Sequence, residues 1–164
     1  MKVKKRIFVL SGIVALVDQL VKVLAVNYLS TDGGITVINN FLNLTYVENT
    51  GAAWGILSGN RWFLIIISIL AIYAIVKYFL LDIDITKVEF AAYGLMLGGI
   101  VGNMIDRIVY GYVIDYAHFN FGAYQFPVFN IADSAIVIGA GLVIIHLIMN
   151  AIKQRRKYES NKRK

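Results

Sequence analysis

The sequence has no cysteine in its 164 residues. Disulfides, thiolate metal sites and a cysteine nucleophile are therefore excluded, and so is a lipid anchor on a cysteine of its own. Charge is also scarce: 16% of residues are charged and 59% are hydrophobic, too apolar a balance for a domain that must cover itself with polar surface in water. Only two histidines occur, His118 and His146. Neither falls in an H-E-x-x-H or comparable spacing, so no metal is expected. The glycines do not lead a strand into a helix with phosphate-loop spacing, which removes the case for a nucleotide site. No organic cofactor is expected. No repeat, linker or low-complexity stretch divides the chain, which reads as one integral membrane domain over residues 1–164.

What is present is four apolar runs, near residues 7–26, 62–81, 88–110 and 131–152. Each approaches the roughly 20 residues needed to cross about 30 Å of hydrocarbon. Basic residues cluster in the N-terminal tail (Lys2, Lys4, Lys5, Arg6), around the second connection (Lys77, Lys87) and from Lys153 to Lys164. By the positive-inside rule these segments are cytoplasmic, and the two longer connections face outward. The first run follows positive residues as a signal peptide would, but it is long and lacks a small-residue cleavage site, so it reads as a retained span. Trp54, Trp62, Tyr110, Tyr112 and Tyr116 fall near the outer boundary, where aromatic side chains gather. The net charge of +6 is then a topology signal, and no nucleic-acid partner is expected. In the first outer connection LNLTYV (42–47) partly alternates polar and apolar residues, the period of a short strand, after a Gly33-Gly34 turn. The fold class is an all-α membrane protein, a four-transmembrane-helix bundle with a small strand-containing platform on its outer face. The terminal YESNKRK reads as a solvated tail.

Polar residues within the spans cost free energy in hydrocarbon and face protein or water. Asp18 and Lys22 lie four apart on one helical face and can neutralise each other. In GNMIDR, Asn103 sits over Arg107 and within a turn of Asp106, which suggests either an interhelical hydrogen-bond cluster or substrate contacts near the outer end. Gly94, Gly98, Gly99 and Gly102 recur mostly at helical spacing and suit close helix packing. ENTGAAWG places Asn49 beside small residues, Gly51 among them, that let another backbone approach. With the strand-like stretch and Trp54, it suggests a platform for an extended peptide.

Two aspartates remain. Asp133 falls in the first turn of the fourth run behind Asn130 and Pro127, so N-x-x-D could simply cap that helix. Asp115 lies in apolar, aromatic surroundings between Ile114 and Tyr116, where a surface loop would normally be more polar. Apolar surroundings favour a protonated Asp115 and a helix N-terminus favours an ionised Asp133. Together they could supply an acid and a base for hydrolysis by activated water. A Ser–Lys dyad of Lys22 with Ser134 or Ser58 is conceivable, but nothing in the sequence brings either pair together.

DQLVK (Asp18 to Lys22), ENTGAAWG (around Asn49 to Gly55), GNMIDR (Gly102 to Arg107), VID (Val113 to Asp115) and FNIADS (Phe129 to Ser134) together resemble bacterial lipoprotein signal peptidase, or signal peptidase II. The match runs in order through nearly the whole chain. It departs from the family at Thr50, where a second asparagine often occurs, and at Trp54, commonly phenylalanine. The resemblance implies an aspartic endopeptidase of the bacterial cytoplasmic membrane that removes the signal peptide of a prolipoprotein immediately before its diacylglyceryl-modified cysteine. Its partners are then those precursors and membrane lipids. It implies Asp115 and Asp133 as the catalytic pair, with water as nucleophile. Asn49, Asn103, Arg107 and Asn130 match positions that line or support the substrate site, Gly51 is grouped with them, and Asp18 and Lys22 match a polar pair of structural role. The alternatives from other classes are a small proton-coupled transporter and a noncatalytic assembly protein.

Overall fold

The computed structural model describes residues 2–30, 33–81, 85–122 and 124–162. Four long helices form on the four apolar runs: α1 (Lys2–Leu29), α2 (Arg61–Leu81), α3 (Lys87–Val109) and α4 (Ile131–Lys162). All four are long and apolar enough to cross a membrane. A helix is the element these runs require, because in hydrocarbon every backbone polar group must find its partner inside the segment. Thr86 starts α3 with a reciprocal capping box, its hydroxyl accepting from Glu89 N at 3.2 Å while the Glu89 carboxylate accepts from Thr86 N at 2.9 Å. The stretch expected to be a solvated tail is exposed but remains helical as far as Lys162. Arg155 and Glu159, four apart, pair there at 3.1 Å.

α3 is the hub. Half of its span is buried within the protein, against 11% for α2 and for α4. Small residues make this possible: a Cβ on Gly98 would strike Val14 and the Ser11 carbonyl of α1, and one on Gly99 would strike the Ala132 carbonyl of α4. The other helices carry exposed apolar side chains such as Phe8, Leu16, Ile66, Leu70, Ile144 and Leu147, the surface that hydrocarbon covers. One apolar core, Ile7 with Tyr93 and Leu97, sits toward the start of α1. A second joins Ala25 and Leu29 of α1 to Ile114 and Tyr116.

That second core attaches the helices to a four-stranded antiparallel sheet in the order β1 (Ile35–Ile38), β2 (Leu42–Asn49), β3 (Val113–Phe121), β4 (Tyr124–Gln125). The strand expected over 42–47 is β2. β3 stands where an apolar, aromatic connection is expected from the sequence. Its partner lies more than sixty residues away, and the register sets Asp115 opposite Val47 and Asn49 opposite Val113, after a bulge between Leu44 and Val47. Alternation along β3 turns Ile114 and Tyr116 into the α1 core and leaves Val113 and Asp115 on the other face.

Candidate active site

On that other face lies a cavity of about 610 Å³, bounded by α2, α3, α4 and the loops beside the sheet. Its polar lining gathers Asn49, Asn103, Arg107, Asp115 and Asp133. The rest is mostly apolar, including Ile100, Val113 and Ile136, and includes Val137 and Ile138, which are otherwise largely exposed on α4. The cavity therefore opens sideways toward the surface that lipid covers, as well as beneath the sheet. Trp54, exposed and held in a left-handed conformation (φ 56°), stands at its rim with its ring edge toward Phe126. Thr50, the other departure from the family pattern, hydrogen-bonds the Ser58 hydroxyl within the same loop.

The two aspartates are brought to this cavity by different elements and linked by asparagines. Asp115 Oδ1 accepts from Asn130 Nδ2 at 2.7 Å and Oδ2 from Asn49 Nδ2 at 2.9 Å. Asp133 Oδ1 accepts from Asn103 Nδ2 at 2.7 Å, and its Oδ2 accepts from Asn130 N at 3.2 Å while Asp133 N donates to Asn130 Oδ1 at 2.9 Å. This last exchange is the cap anticipated from N-x-x-D. One carboxylate oxygen serves the cap; the other is held by Asn103 in a residue that lines the cavity, so capping does not remove Asp133 from the site. Asp115 is 2% exposed. Burial, then the nearby Asp133, push its carboxyl up to about 7, against the opposing influence of the Asn49 and Asn130 amides.

Arg107 reaches from α3 to the loop: Nη2 donates to the Gly51 carbonyl at 2.9 Å and Nη1 to the Asn103 carbonyl at 3.5 Å, and Nε is buried with no acceptor among the described residues. Gly51 in turn donates its N–H to Asn49 Oδ1 at 2.9 Å. A Cβ at Gly51 would lie 2.6 Å from the Ile56 carbonyl, so the turn closes only around glycine.

Asp18 and Lys22 pair at 2.8 Å, as their spacing suggests, but Lys22 also reaches Asp106 at 2.8 Å and Asn103 Oδ1 at 2.9 Å. Asp106 and Asn103 thus meet on Lys22 in a buried interhelical cluster, one of the two arrangements expected of GNMIDR, while Arg107 reaches out to the loop. Lys22 is thereby committed, Ser134 Oγ donates to the Asn130 carbonyl, and the Ser–Lys dyad is not formed. His118 stands opposite Asn43 in β2, an odd number of residues from Asp115 and so on the other face of the strand. His146 meets Glu89 at 3.5 Å, far along α4. Gln19, which the sequence did not single out, donates to Asp106 Oδ1 at 2.7 Å; an uncharged residue beside Asp18 carries no periodic signal that would have revealed it.

Residues 10–149 match the family described as Signal peptidase (SPase) II. The chain belongs to the signal peptidase II family. It is similar to the lipoprotein signal peptidase of Bacillus pumilus, 38% identical over 90% of this chain and 96% of the relative, and to that of Halothermothrix orenii, 41% identical over 86% and 94%. It also superposes on a solved structure described as a bacterial membrane enzyme studied by the in meso method, with a TM-score of 0.83, 37% identity and 90% of each chain covered. Membership of the signal peptidase II family makes the protein a membrane protease of prolipoprotein signal-peptide processing.

Proposed function

We propose that the protein is an aspartic endopeptidase in which Asp115 and Asp133 activate a water molecule to cut a diacylglyceryl-modified prolipoprotein immediately before its lipidated cysteine. The observation that carries this is the asparagine-linked placement of two carboxylates at a mostly apolar cavity that opens toward lipid. Asp133 acts as the base: it sits in the first turn of α4, where its two carboxylate oxygens accept from Asn103 and from the Asn130 backbone. Asp115 acts as the acid, because its carboxyl still holds its proton over much of the range up to about pH 7. Water adds to the scissile carbonyl carbon as one of its protons passes to Asp133. The carbonyl oxygen, gaining charge, accepts a hydrogen bond from protonated Asp115. Collapse breaks the C–N bond and that proton passes to the departing amine of the cysteine, leaving a free carboxyl on the signal peptide. Water excluded from an apolar cavity strengthens these interactions.

The substrate's signal helix reaches the site from the bilayer along α2 and α4, and Arg107, which lines the cavity, contacts an incoming backbone or lipid oxygen. Both termini are cytoplasmic and the sheet lies at the outer face of the bacterial cytoplasmic membrane, where the diacylglyceryl chains reside. The test is cleavage of lipidated precursor by the purified protein, which neither a transporter nor an assembly factor performs. Asp115→Asn and Asp133→Asn are each expected to fold and to lose about 10³-fold or more in kcat, with the double variant little worse. A folded single variant that cleaves at near the wild-type rate overturns the mechanism.

A further inference from the structure

Each of the two proposed catalytic aspartates follows a residue whose backbone N–H is held by a second, buried carboxylate. Ile114 N donates to Asp106 Oδ2 at 3.1 Å, one residue before Asp115. Ala132 N donates to Asp18 Oδ1 at 2.8 Å, one residue before Asp133. Lys22 bridges the two holders, with Nζ 2.8 Å from Asp18 Oδ2 and 2.8 Å from Asp106 Oδ2. Its third proton goes to Asn103 Oδ1 at 2.9 Å, and the amide of that same Asn103 donates to Asp133. Gln19 completes Asp106 from the far side. Asp18, Lys22 and Asp106 are all at most 1% exposed.

A fully buried lysine between two carboxylates is a poor device for stability, since desolvation offsets most of the attraction and apolar replacements are often neutral or better. It is a good device for fixing distances. The ammonium has one tetrahedral arrangement that satisfies its three acceptors, and each carboxylate spends its remaining oxygen on a neighbour that fixes its direction. We propose that Lys22, with Asp18 and Asp106, is a spacer that sets the separation of the two active-site aspartates by holding β3 and the start of α4 at a fixed distance through the Ile114 and Ala132 N–H groups. These three are positioning residues, and the inference rests on the two-aspartate reading above. Gly102 belongs to the same device: a Cβ there would lie 2.6 Å from Asp18 Oδ2, so glycine lets the spacer seat against α3.

The experiment removes the bridge without changing net charge, using Asp18→Asn with Lys22→Met in the full-length protein in lipid nanodiscs. The expected result is some loss of thermal stability, because Asp106 stays buried without Lys22, together with a KM for lipidated precursor within about twofold of wild type and a kcat per folded molecule lower by roughly 100-fold, the scale that a misplacement near 1 Å produces. The shape of the pH–rate profile changes too, because the splitting of the pair's two apparent values depends on their separation. The charged and titratable groups around the pair are Lys22 and Asp18 on α1, Asp106 and Arg107 on α3, and Tyr116 on β3. Lys22 also acts on the Asp115 carboxyl through its charge, so the lowered kcat at unchanged KM, and not the profile alone, reports geometry. A folded double variant with wild-type kcat and profile overturns the spacer, as does a fall in kcat that only follows the fraction of folded protein. If the double variant does not fold, Gly102→Ala decides: the same kcat loss at unchanged KM supports the spacer and wild-type kcat refutes it. Asp115→Asn and Asp133→Asn, assayed alongside, separate the two ideas: if both are inert while the double variant turns over normally, only the spacer falls, and if they remain active the two-aspartate reading falls first.

Discussion

Replacing Asp115 by asparagine should stabilise the protein at alkaline pH while removing its activity. Burial and the neighbouring Asp133 raise the Asp115 carboxyl from 3.8 to about 7. The folded state therefore binds this proton more tightly than the unfolded chain. Its contribution to stability is complete below about pH 4 and is lost as pH rises through about 7. At 1.36 kcal/mol per pH unit, that difference of about three units amounts to roughly 4 kcal/mol of stability forfeited above neutrality. Asparagine carries no charge to desolvate and recovers that amount, with one deduction. Its carbonyl can keep the bond from Asn130 Nδ2, but its NH2 would face Asn49 Nδ2, a donor whose partner oxygen is engaged with Gly51 N. The mismatch costs about 1–2 kcal/mol. A net gain of roughly 2–3 kcal/mol at pH 8.5, shrinking to nothing or reversing near pH 5, is the expected difference curve. Thermal unfolding of wild type and variant in the same detergent, from pH 4 to pH 9, reads it directly. Parallel curves across that range would show that Asp115 titrates alike in the folded and unfolded states, and the electrostatic account of the acid would be wrong.

Arg107→Lys keeps the charge but loses the fork that spans the Gly51 carbonyl and the cavity, so turnover at limiting substrate should fall by about tenfold or more; wild-type turnover would reduce Arg107 to a replaceable charge. Asn130→Ser preserves an N-cap for α4 yet deletes the donor that favours ionised Asp115. The alkaline limb of the pH–rate profile should then move to higher pH, and a downward move would contradict the assignment of Asp115 as the acid. For topology, impermeant thiol reagents added outside intact cells should label cysteines introduced at Asn39 and Asn120 but not ones at either terminus. Termini on opposite sides of the membrane would put the cavity at the wrong surface.

The helices were legible because a bilayer demands long apolar runs, and their ends lie close to those expected, except where α1 begins earlier, at Lys2, and α4 continues beyond the apolar stretch. β2 showed through its alternation. β3 did not, although VIDYAHFNF is rich in strand-forming side chains, because its pairing with β2 is long-range and the single aspartate drew the reading toward burial. Within the site, helical spacing related Asn103 to Arg107 and Asp18 to Lys22, and the local N-x-x-D pattern related Asn130 to Asp133. It could not relate Asp106 to Ile114 or Asp18 to Ala132, because those bonds depend on how α3 packs on β3 and α1 on α4. The apolar setting of Asp115, the position of Asp133 and then the resemblance singled out the two acids; most of the groups that hold them became visible only in three dimensions.

The length of α4 has a mechanical consequence. Its apolar part, residues 131–152, runs about 33 Å at 1.5 Å per residue, close to a hydrocarbon slab of roughly 30 Å, and the helix continues beyond it, exposed and polar, to Lys162. Asp133 rides on the first turn of this rod, whereas Asp115 is borne by the sheet. A rod answers a change in bilayer thickness by tilting; a sheet resting at one interface does not. Hydrophobic mismatch thus loads the Asp18–Lys22–Asp106 bridge, which ties the start of α4 to β3 through the Ala132 and Ile114 N–H groups, and moves the two acids apart only as far as that bridge yields. In vesicles of graded acyl-chain length the rate should pass through a maximum at the thickness that suits α4 and decline on either side, making the surrounding lipid a determinant of turnover.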